Sequence, residues 1–418
     1  MKSGERYYLI GKSLKHSYSK IIHKKIGGYR YDLKNLSPEE LDSFMREKNF
    51  SGINVTMPYK LDVLPYCDVF GKAVVDIGSA NTIVKNLDGS LYADNTDYKG
   101  LIYLIKKSKI NIRGKNVLIM GTGGTSLTAH AVARNLGAKK IYVVSRTGSI
   151  NYRNVYAIKN IEVIINTTPV GMFPNNYDRL LIDIKRFANL EAVIDVVYNP
   201  LKTQLIKTAE DIGVNATGGL SMLVAQAVYS AELFSGNNKS VRTIERIDRE
   251  LRRELTNIVF IGMPGSGKTT LAKIVSRKLG RKYIDIDKYI VSKENKSIPT
   301  IFEESGERYF RSLERESIKQ VAKSTGLVIA TGGGAIINSQ NMFNLKQNGL
   351  VFFVDRDTNS LSTKGRPLSS STENIQKLYS ERIDLYNNYS DFIINNNENG
   401  IVKIADRIVE VYNENFSN

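Results

Sequence analysis

The chain is poor in the residues that staple or cage a fold. Cys67 is its one cysteine, so no disulfide can close within it, and a reducing, cytoplasmic setting is expected. The three histidines, His16, His23 and His130, form no ligand spacing with Cys67, which argues against a zinc site. No stretch approaches the ~18 apolar residues that span a bilayer, and the apolar run Tyr7–Ile10 is too short for a signal peptide's core. No long run of one charge occurs either. The 59 Lys+Arg outnumber the 42 Asp+Glu, giving +17, but the basic residues are scattered, and no aromatic-interleaved basic motif or nucleic-acid module is present. We therefore expect no nucleic acid or membrane partner, and a field that draws in small anions. With 418 residues, 42% hydrophobic and 24% charged, two or three ordinary globular domains are expected.

What is there is organised around one stretch. Asn257–Ile261 is a short, apolar, β-branched run that reads as a buried parallel strand. It breaks into G-x-x-x-x-G-K-T (Gly262, Gly265, Ser266, Gly267, Lys268, Thr269, then Thr270) and resumes with apolar residues at helical spacing. Strand, glycine loop and helix are the context of a phosphate-binding P-loop. Backbone N–H groups and the helix N-terminus would hold the anion, Lys268 would reach the β- and γ-phosphates of a nucleoside triphosphate, and Thr269 would hold Mg²⁺. Such a loop follows the first strand of its domain, so the preceding residues need a separate account.

Those residues alternate short apolar strands with helical segments, the pattern of α/β architecture. Ser17 and Ser19 precede an amphipathic segment, where they could cap a helix or bind a carboxylate or polyol. Thr56 and Lys60 follow the strand-like Gly52–Val55, Asn81-Thr82 follows Gly78, and Asn95-Thr96-Asp97 precedes Gly100. Taken singly these are solvated or turn residues. Farther on, Lys115–Met120 leads into Gly121, Gly123, Gly124 and Thr125, a G-x-G loop with Ser126 in place of the third glycine. The next strand, Lys140–Val144, ends in Ser145-Arg146-Thr147. An acidic residue there would bind a ribose 2′-hydroxyl; an arginine flanked by hydroxyls suits a 2′-phosphate, so NADPH is expected.

Taken in order and spacing, the paired serines, N-V-T-x-P-x-K, N-T and N-T-D-x-x-G resemble the shikimate dehydrogenase family over about residues 7–236. The resemblance extends through Asn166–Met172, Asp195–Thr203 and Gly219–Gln226. It implies that Ser17 and Ser19 bind the substrate carboxylate, that Thr56, Asn81 and Asp97 hold ring hydroxyls, and that Lys60 and Asp97 flank the reacting oxygen. Tyr198 would face the substrate, Gln226 would bond a ring hydroxyl, and Val196 and Gly219 would lie on the cofactor side. Lys20, Lys72, Ala93 and Ser145 depart from the family pattern without removing a catalytic group. The implied architecture is an open α/β substrate domain (about 1–100 and 218–236) and a Rossmann-type NADP domain (about 101–217).

Residues 237–256 read as a helical linker, with Val241, Ile244, Ile247, Leu251 and Leu255 on one face. After the P-loop, Lys282–Asp287 reads as a strand whose Asp285 and Asp287, at alternate positions, face one site. Gly306 reads as the start of the helix carrying Arg311. Gly332-Gly333-Gly334 follows a strand, Arg366-Pro367-Leu368 sits in a polar stretch, and Arg382 lies on a helix. This order is similar to shikimate kinase, a P-loop domain like the nucleoside-monophosphate kinases, over about residues 257–394, within a domain expected to span 257–418. The resemblance implies that Asp287 contacts ring hydroxyls as base or orienter, that Arg311 and Arg382 clamp the carboxylate, and that Gly333 offers its N–H. Asp285 would act through the Mg²⁺ shell and Arg366 would close over the phosphates. The stretch Val354–Arg366 is shorter than the family's, and a second lid arginine is not evident. Together the halves imply NADPH-dependent reduction of 3-dehydroshikimate to shikimate, then MgATP-dependent phosphorylation. A quinate-like substrate, or a first half that only binds, are the alternatives.

Overall fold

The computed structural model describes residues 5–14, 17–176, 180–361, 372–397 and 400–417. The chain forms two compact units, Met1–Asp248 and Arg249–Asn418.

The first unit holds two sheets. Strands β1 (Tyr7–Gly11), β2 (Tyr31–Asn35), β3 (Gly52–Val55), β4 (Val69–Phe70), β5 (Thr82–Lys85) and β6 (Leu91–Asp94) lie in the order β2-β1-β3-β5-β6-β4. The β1 pairings are parallel, whereas β5 runs antiparallel to both β3 and β6. The second sheet is wholly parallel. It contains β7 (Asn116–Met120), β8 (Lys140–Val144), β9 (Val163–Asn166), β10 (Ala192–Asp195) and β11 (Asn215–Gly218), ordered β11-β10-β9-β7-β8. Strands β9 and β10 are buried at every position, which is why they read as unbroken apolar runs rather than alternating ones. The strand order reverses between β7 and β9, the place where open parallel sheets leave a crevice at their carboxyl ends.

Helix Leu220–Ser235, after β11, packs against helices Thr96–Lys107 and Ser19–Ile26 and against β5. The chain thereby returns to its first sheet. The amphipathic spacing seen at Val241–Leu255 does form a helix, and the first unit takes it in as far as Asp248. That carboxylate, 2% exposed, accepts a hydrogen bond from Ser221 Oγ at 3.0 Å and pairs with Lys107. It thus ties together the helices that carry Asp97 and Gln226.

His23 is fully buried, stacked on Tyr31 at 3.7 Å between ring centroids, with Nδ1 against the Tyr29 hydroxyl. Burial pushes its pKa from the ordinary 6.5 down to about 3. Unfolded, the ring gains a proton as pH drops below 6.5; folded, it stays neutral until about 3. Its contribution to stability is therefore complete above that window and lost on descending through it, at up to about 1.4 kcal/mol per pH unit. We expect His23→Phe to flatten the acid limb of the first unit's urea-unfolding midpoint between pH 6.5 and 4.5, followed by near-ultraviolet circular dichroism. Parallel pH profiles for the two proteins would contradict this.

The second unit is a parallel sheet of β12 (Asn257–Ile261), β13 (Tyr283–Asp285), β14 (Val328–Ala330), β15 (Gly349–Asp355) and β16 (Phe392–Asn395), ordered β13-β14-β12-β15-β16. The P-loop strand is central, with apolar clusters around Val259 and Ile261 and around Ile258 and Phe260. One expectation is corrected. Strand β13 stops at Asp285, whose side chain caps the next helix by accepting from Lys288 N at 3.2 Å. Asp287 therefore lies in the first turn of helix Ile286–Glu294, not on the strand. The helix carrying Arg311 does start at Gly306: with φ 75° this residue is non-helical and breaks the run Ile298–Val321 into two helices that meet at a kink. Among the described residues, no helix is long and apolar enough to cross a membrane.

Candidate functional site

In the first unit, β3 ends in a turn that presents Lys60, and β6 ends where helix Thr96–Lys107 begins, placing Asp97 in its first turn. Lys60 Nζ donates to Asp97 Oδ2 at 2.5 Å, with the two side chains only 12% and 10% exposed. The start of the helix that carries Asp97 is held by a web of bonds centred on Asn81. Asn81 Oδ1 accepts from Thr96 N at 2.7 Å and from Thr82 Oγ1 at 3.0 Å, and Asn81 Nδ2 donates to Gln226 Oε1 at 3.4 Å. Asn54, outside the expected set, donates to Thr82 Oγ1 at 3.0 Å and accepts from Tyr31 at 2.7 Å. Its position within N-V-T was its only sequence signal.

The serine pair does not cap its helix. Tyr18 occupies that position without a side-chain capping bond, and Ser17 Oγ accepts from Ser19 N at 3.2 Å. The Tyr18 ring lies 5.6 Å from that of Tyr198, so the serine loop and the end of β10 meet. Burial pushes the Tyr198 hydroxyl up to about 12. Thr56 lies beside Gly11, where a β-carbon would fall 2.6 Å from Thr56 Cγ2.

The glycine loop after β7 adjoins the Lys60–Asp97 pair: a β-carbon on Gly124 would lie 3.3 Å from Lys60 Cδ. Gly121 has φ 111°, and Ser126, standing for the third glycine, closes the loop by donating to Gly121 O at 2.7 Å. Space around Gly123 is open, so the backbone there can approach a pyrophosphate. Arg146 and Thr147, past the end of β8, are exposed, while Ser145 Oγ accepts from Gly148 N at 2.9 Å. Gly219 tolerates no side chain, since a β-carbon would sit 2.0 Å from Val196 O. Asp195 braces this crevice, accepting from Asn166 at 2.9 Å and Thr203 at 2.6 Å. Burial pushes its carboxyl up to about 6 despite these bonds. The glycine cradle and the exposed arginine fit a phosphorylated dinucleotide.

In the second unit, one cavity of about 510 Å³ gathers nothing from this chemistry; the site is instead a pocket of about 500 Å³. It is lined by the P-loop, Asp285, Asp287, Arg311, Gly332–Gly334, Arg356 and Arg382. Gly262, Gly265 and Gly267 have φ of 145°, 86° and 99°, conformations that glycine alone adopts easily. Ser266 is buried with its loop, and Thr270 lines the pocket from the following helix. Lys268 Nζ donates to Gly262 O at 2.9 Å and Met263 O at 2.8 Å. Thr269 Oγ1 donates to Asp285 Oδ2 at 2.9 Å. This hydroxyl and carboxylate form a hard-oxygen donor pair that fits Mg²⁺, whose remaining positions suit phosphate oxygens and water.

The three glycines after β14 each make room for a different neighbour. A β-carbon would fall 2.9 Å from Asp287 Oδ1 at Gly332, 2.6 Å from Pro264 Cδ at Gly333, and 2.4 Å from Arg311 Nη1 at Gly334. Gly333 O accepts from Arg382 at 3.3 Å and from the Tyr386 hydroxyl at 2.6 Å. Arg311 bonds Glu314 at 2.9 Å and Glu307 at 3.0 Å, which fixes its plane. Burial pushes the Glu314 carboxyl above its ordinary range, against the pull of Arg311. Sequence reasoning assigned no role to Glu314 or Tyr386; the former stands three residues after Arg311 in Phe310-Arg311-Ser312-Leu313-Glu314, a spacing from which it could have been found. Arg366 lies outside the described residues.

Comparison with known proteins gives both halves a family. Residues 9–83 match the family model described as the shikimate dehydrogenase substrate binding domain, and residues 264–413 match that of shikimate kinase. Shikimate dehydrogenase (NADP(+)) of Clostridium perfringens (strain 13 / Type A) is 33% identical over 265 residues, covering 58% of this chain and 97% of that protein. Among solved structures, shikimate dehydrogenase 1 from Peptoclostridium difficile superposes with a TM-score of 0.56 at 32% identity, covering 59% of this chain and 97% of that one. A chorismate mutase/shikimate 5-dehydrogenase fusion protein from Clostridium acetobutylicum does so with 0.56 at 31%, covering 60% and 98%.

Proposed function

We propose, since this chain belongs to the shikimate dehydrogenase family and carries a shikimate kinase domain after it, that it is a bifunctional enzyme. Its first unit reduces 3-dehydroshikimate to shikimate with NADPH, and its second phosphorylates the shikimate 3-hydroxyl with MgATP. The observation that carries the first half is the Lys60–Asp97 pair standing beside Gly124.

Bound NADPH supplies the hydride. The Lys60 ammonium gives a proton to the oxygen as the carbonyl becomes a hydroxyl, and Asp97 orients both lysine and hydroxyl. Ser17 and Ser19 bind the carboxylate, while Thr56, Asn81, Tyr198 and Gln226 hold the ring. Gly121, Gly123, Gly124, Thr125, Val196 and Gly219 shape the cofactor bed, and Ser145, Arg146 and Thr147 take the 2′-phosphate. In the second unit ATP supplies the phosphoryl group. Lys268 neutralises charge on it, and Thr269 and Asp285 hold Mg²⁺. Asp287 orients the attacking hydroxyl and takes up its proton, and Arg311 and Arg382 grip the carboxylate through planar guanidinium groups.

Initial rates of alcohol oxidation by the purified chain test the first half. Shikimate with NADP⁺ should exceed quinate with NADP⁺ and shikimate with NAD⁺. Arg146→Asp should move the NADP⁺/NAD⁺ ratio of kcat/KM by ~10-fold or more, the worth of one charge-assisted phosphate contact. A quinate preference, or a ratio indifferent to Arg146, would contradict the assignment.

A further inference from the structure

The second unit's pocket is lined by four cationic side chains: Lys268, Arg311, Arg356 and Arg382. Three hold protein acceptors. Lys268 bonds Gly262 O and Met263 O, Arg311 bonds Glu307 and Glu314, and Arg382 bonds Gly333 O. Arg356 differs. Its Nε is buried and has no hydrogen-bond partner. A buried guanidinium N–H without an acceptor is costly, more so than a neutral donor, and such a group facing a phosphate-binding loop is relieved by an anion.

The backbone beside Arg356 is tied to that loop. Arg356 directly follows β15, which pairs with the P-loop strand β12. A β-carbon on Gly262 would lie 2.5 Å from Val354 O, so the end of β15 touches the loop's first glycine. Asp355 O accepts from Asn396 N at 2.8 Å, and Asn396 Nδ2 donates in turn to Ser266 O at 2.6 Å. Tyr379 also donates to Asp355 Oδ1 at 3.2 Å. Arg356 thus springs from a strand end braced against the loop that receives the phosphates.

We infer that Arg356 is a further catalytic residue of the kinase unit, one whose guanidinium binds the phosphate chain of the nucleotide. It is distinct from Arg366 of the R-P-L motif, and it supplies a nucleotide-side arginine from the sheet itself. The inference rests on the kinase reading only in requiring a nucleotide on the P-loop.

The test is equilibrium binding of MgADP and of shikimate by calorimetry, together with kinase turnover, on the full chain and its Arg356→Met and Arg356→Lys variants. Arg356→Met should weaken MgADP by ~10-fold or more and lower kcat, as loss of a charge-assisted phosphate contact does. Shikimate affinity should stay within ~2-fold, a split that general unfolding of the pocket would not give. Arg356→Lys, which keeps the charge but loses the fork, should fall between. If Arg356→Met does not fold, Arg356→Lys decides alone through its MgADP affinity. Unchanged MgADP affinity and kcat would overturn the inference. So would equal losses for MgADP and shikimate. If the native chain binds MgADP yet does not phosphorylate shikimate, the substrate assignment fails, and the MgADP comparison still decides the role of Arg356.

Discussion

Lys60→Ala is expected to lower kcat for 3-dehydroshikimate reduction by ~10²–10⁴-fold, the range for losing a positioned acid, while shikimate-dependent ADP release is unchanged. The corresponding barrier is about 3–5 kcal/mol. The expectation follows from the geometry. Lys60 is the cation bonded to Asp97, at 2.5 Å, and the pair is nearly enclosed, so water does not readily replace a lost proton donor. His23 offers no substitute, being buried against Tyr29 and Tyr31. Asp97→Asn should cost less in KM than in kcat, because the amide keeps a contact to the ring but no longer orients the ammonium. Unchanged turnover in Lys60→Ala would revive the reading in which the first unit only binds.

Lys268→Ala is expected to cut shikimate-dependent ADP release by ~10²–10³-fold, as when one preorganised donor to developing charge is removed, with dehydrogenase turnover in the same chain as the control. Lys268 is 7% exposed and folded onto the loop's own carbonyls, so it is already positioned over the bed that, on this account, receives the phosphates. The same contacts give it a second role, holding the loop's shape. Lys268→Arg therefore helps to separate charge from fit: it keeps the cation but is too long for that bed, and it should remain severely impaired. Turnover of Lys268→Ala within ~3-fold of the native chain would remove the P-loop from the chemistry.

Much of this was legible in the sequence because the signals are local. A glycine loop between an apolar strand and a helix dictates its own conformation, so the P-loop from Gly262 to Thr269 and the turn at Gly121–Gly124 could be placed from their spacing. Alternating strands and helices gave the α/β class for the same reason. Local pattern failed where tertiary contacts decide. Asp287 read as a strand residue because i and i+2 share a strand face, yet the Asp285 cap turns the chain helical one residue sooner. Gly306 read as a helix start and is one, but that a further helix, from Ile298, runs up to it was not anticipated. The roles of Tyr386 and Asn54 depend on partners tens of residues away in sequence, and no window contains both members. The three glycines at 332–334 were visible as a turn; that each clears a different neighbour was not.

The most direct test of the bifunctional account is a single reaction of the purified chain with 3-dehydroshikimate, NADPH and MgATP, following NADPH loss and ADP release separately. The account predicts both signals, with ADP appearing only after shikimate has been made and not at all when NADPH is withheld. ADP release on added shikimate without any NADPH loss would contradict it, leaving a kinase joined to an inactive first unit.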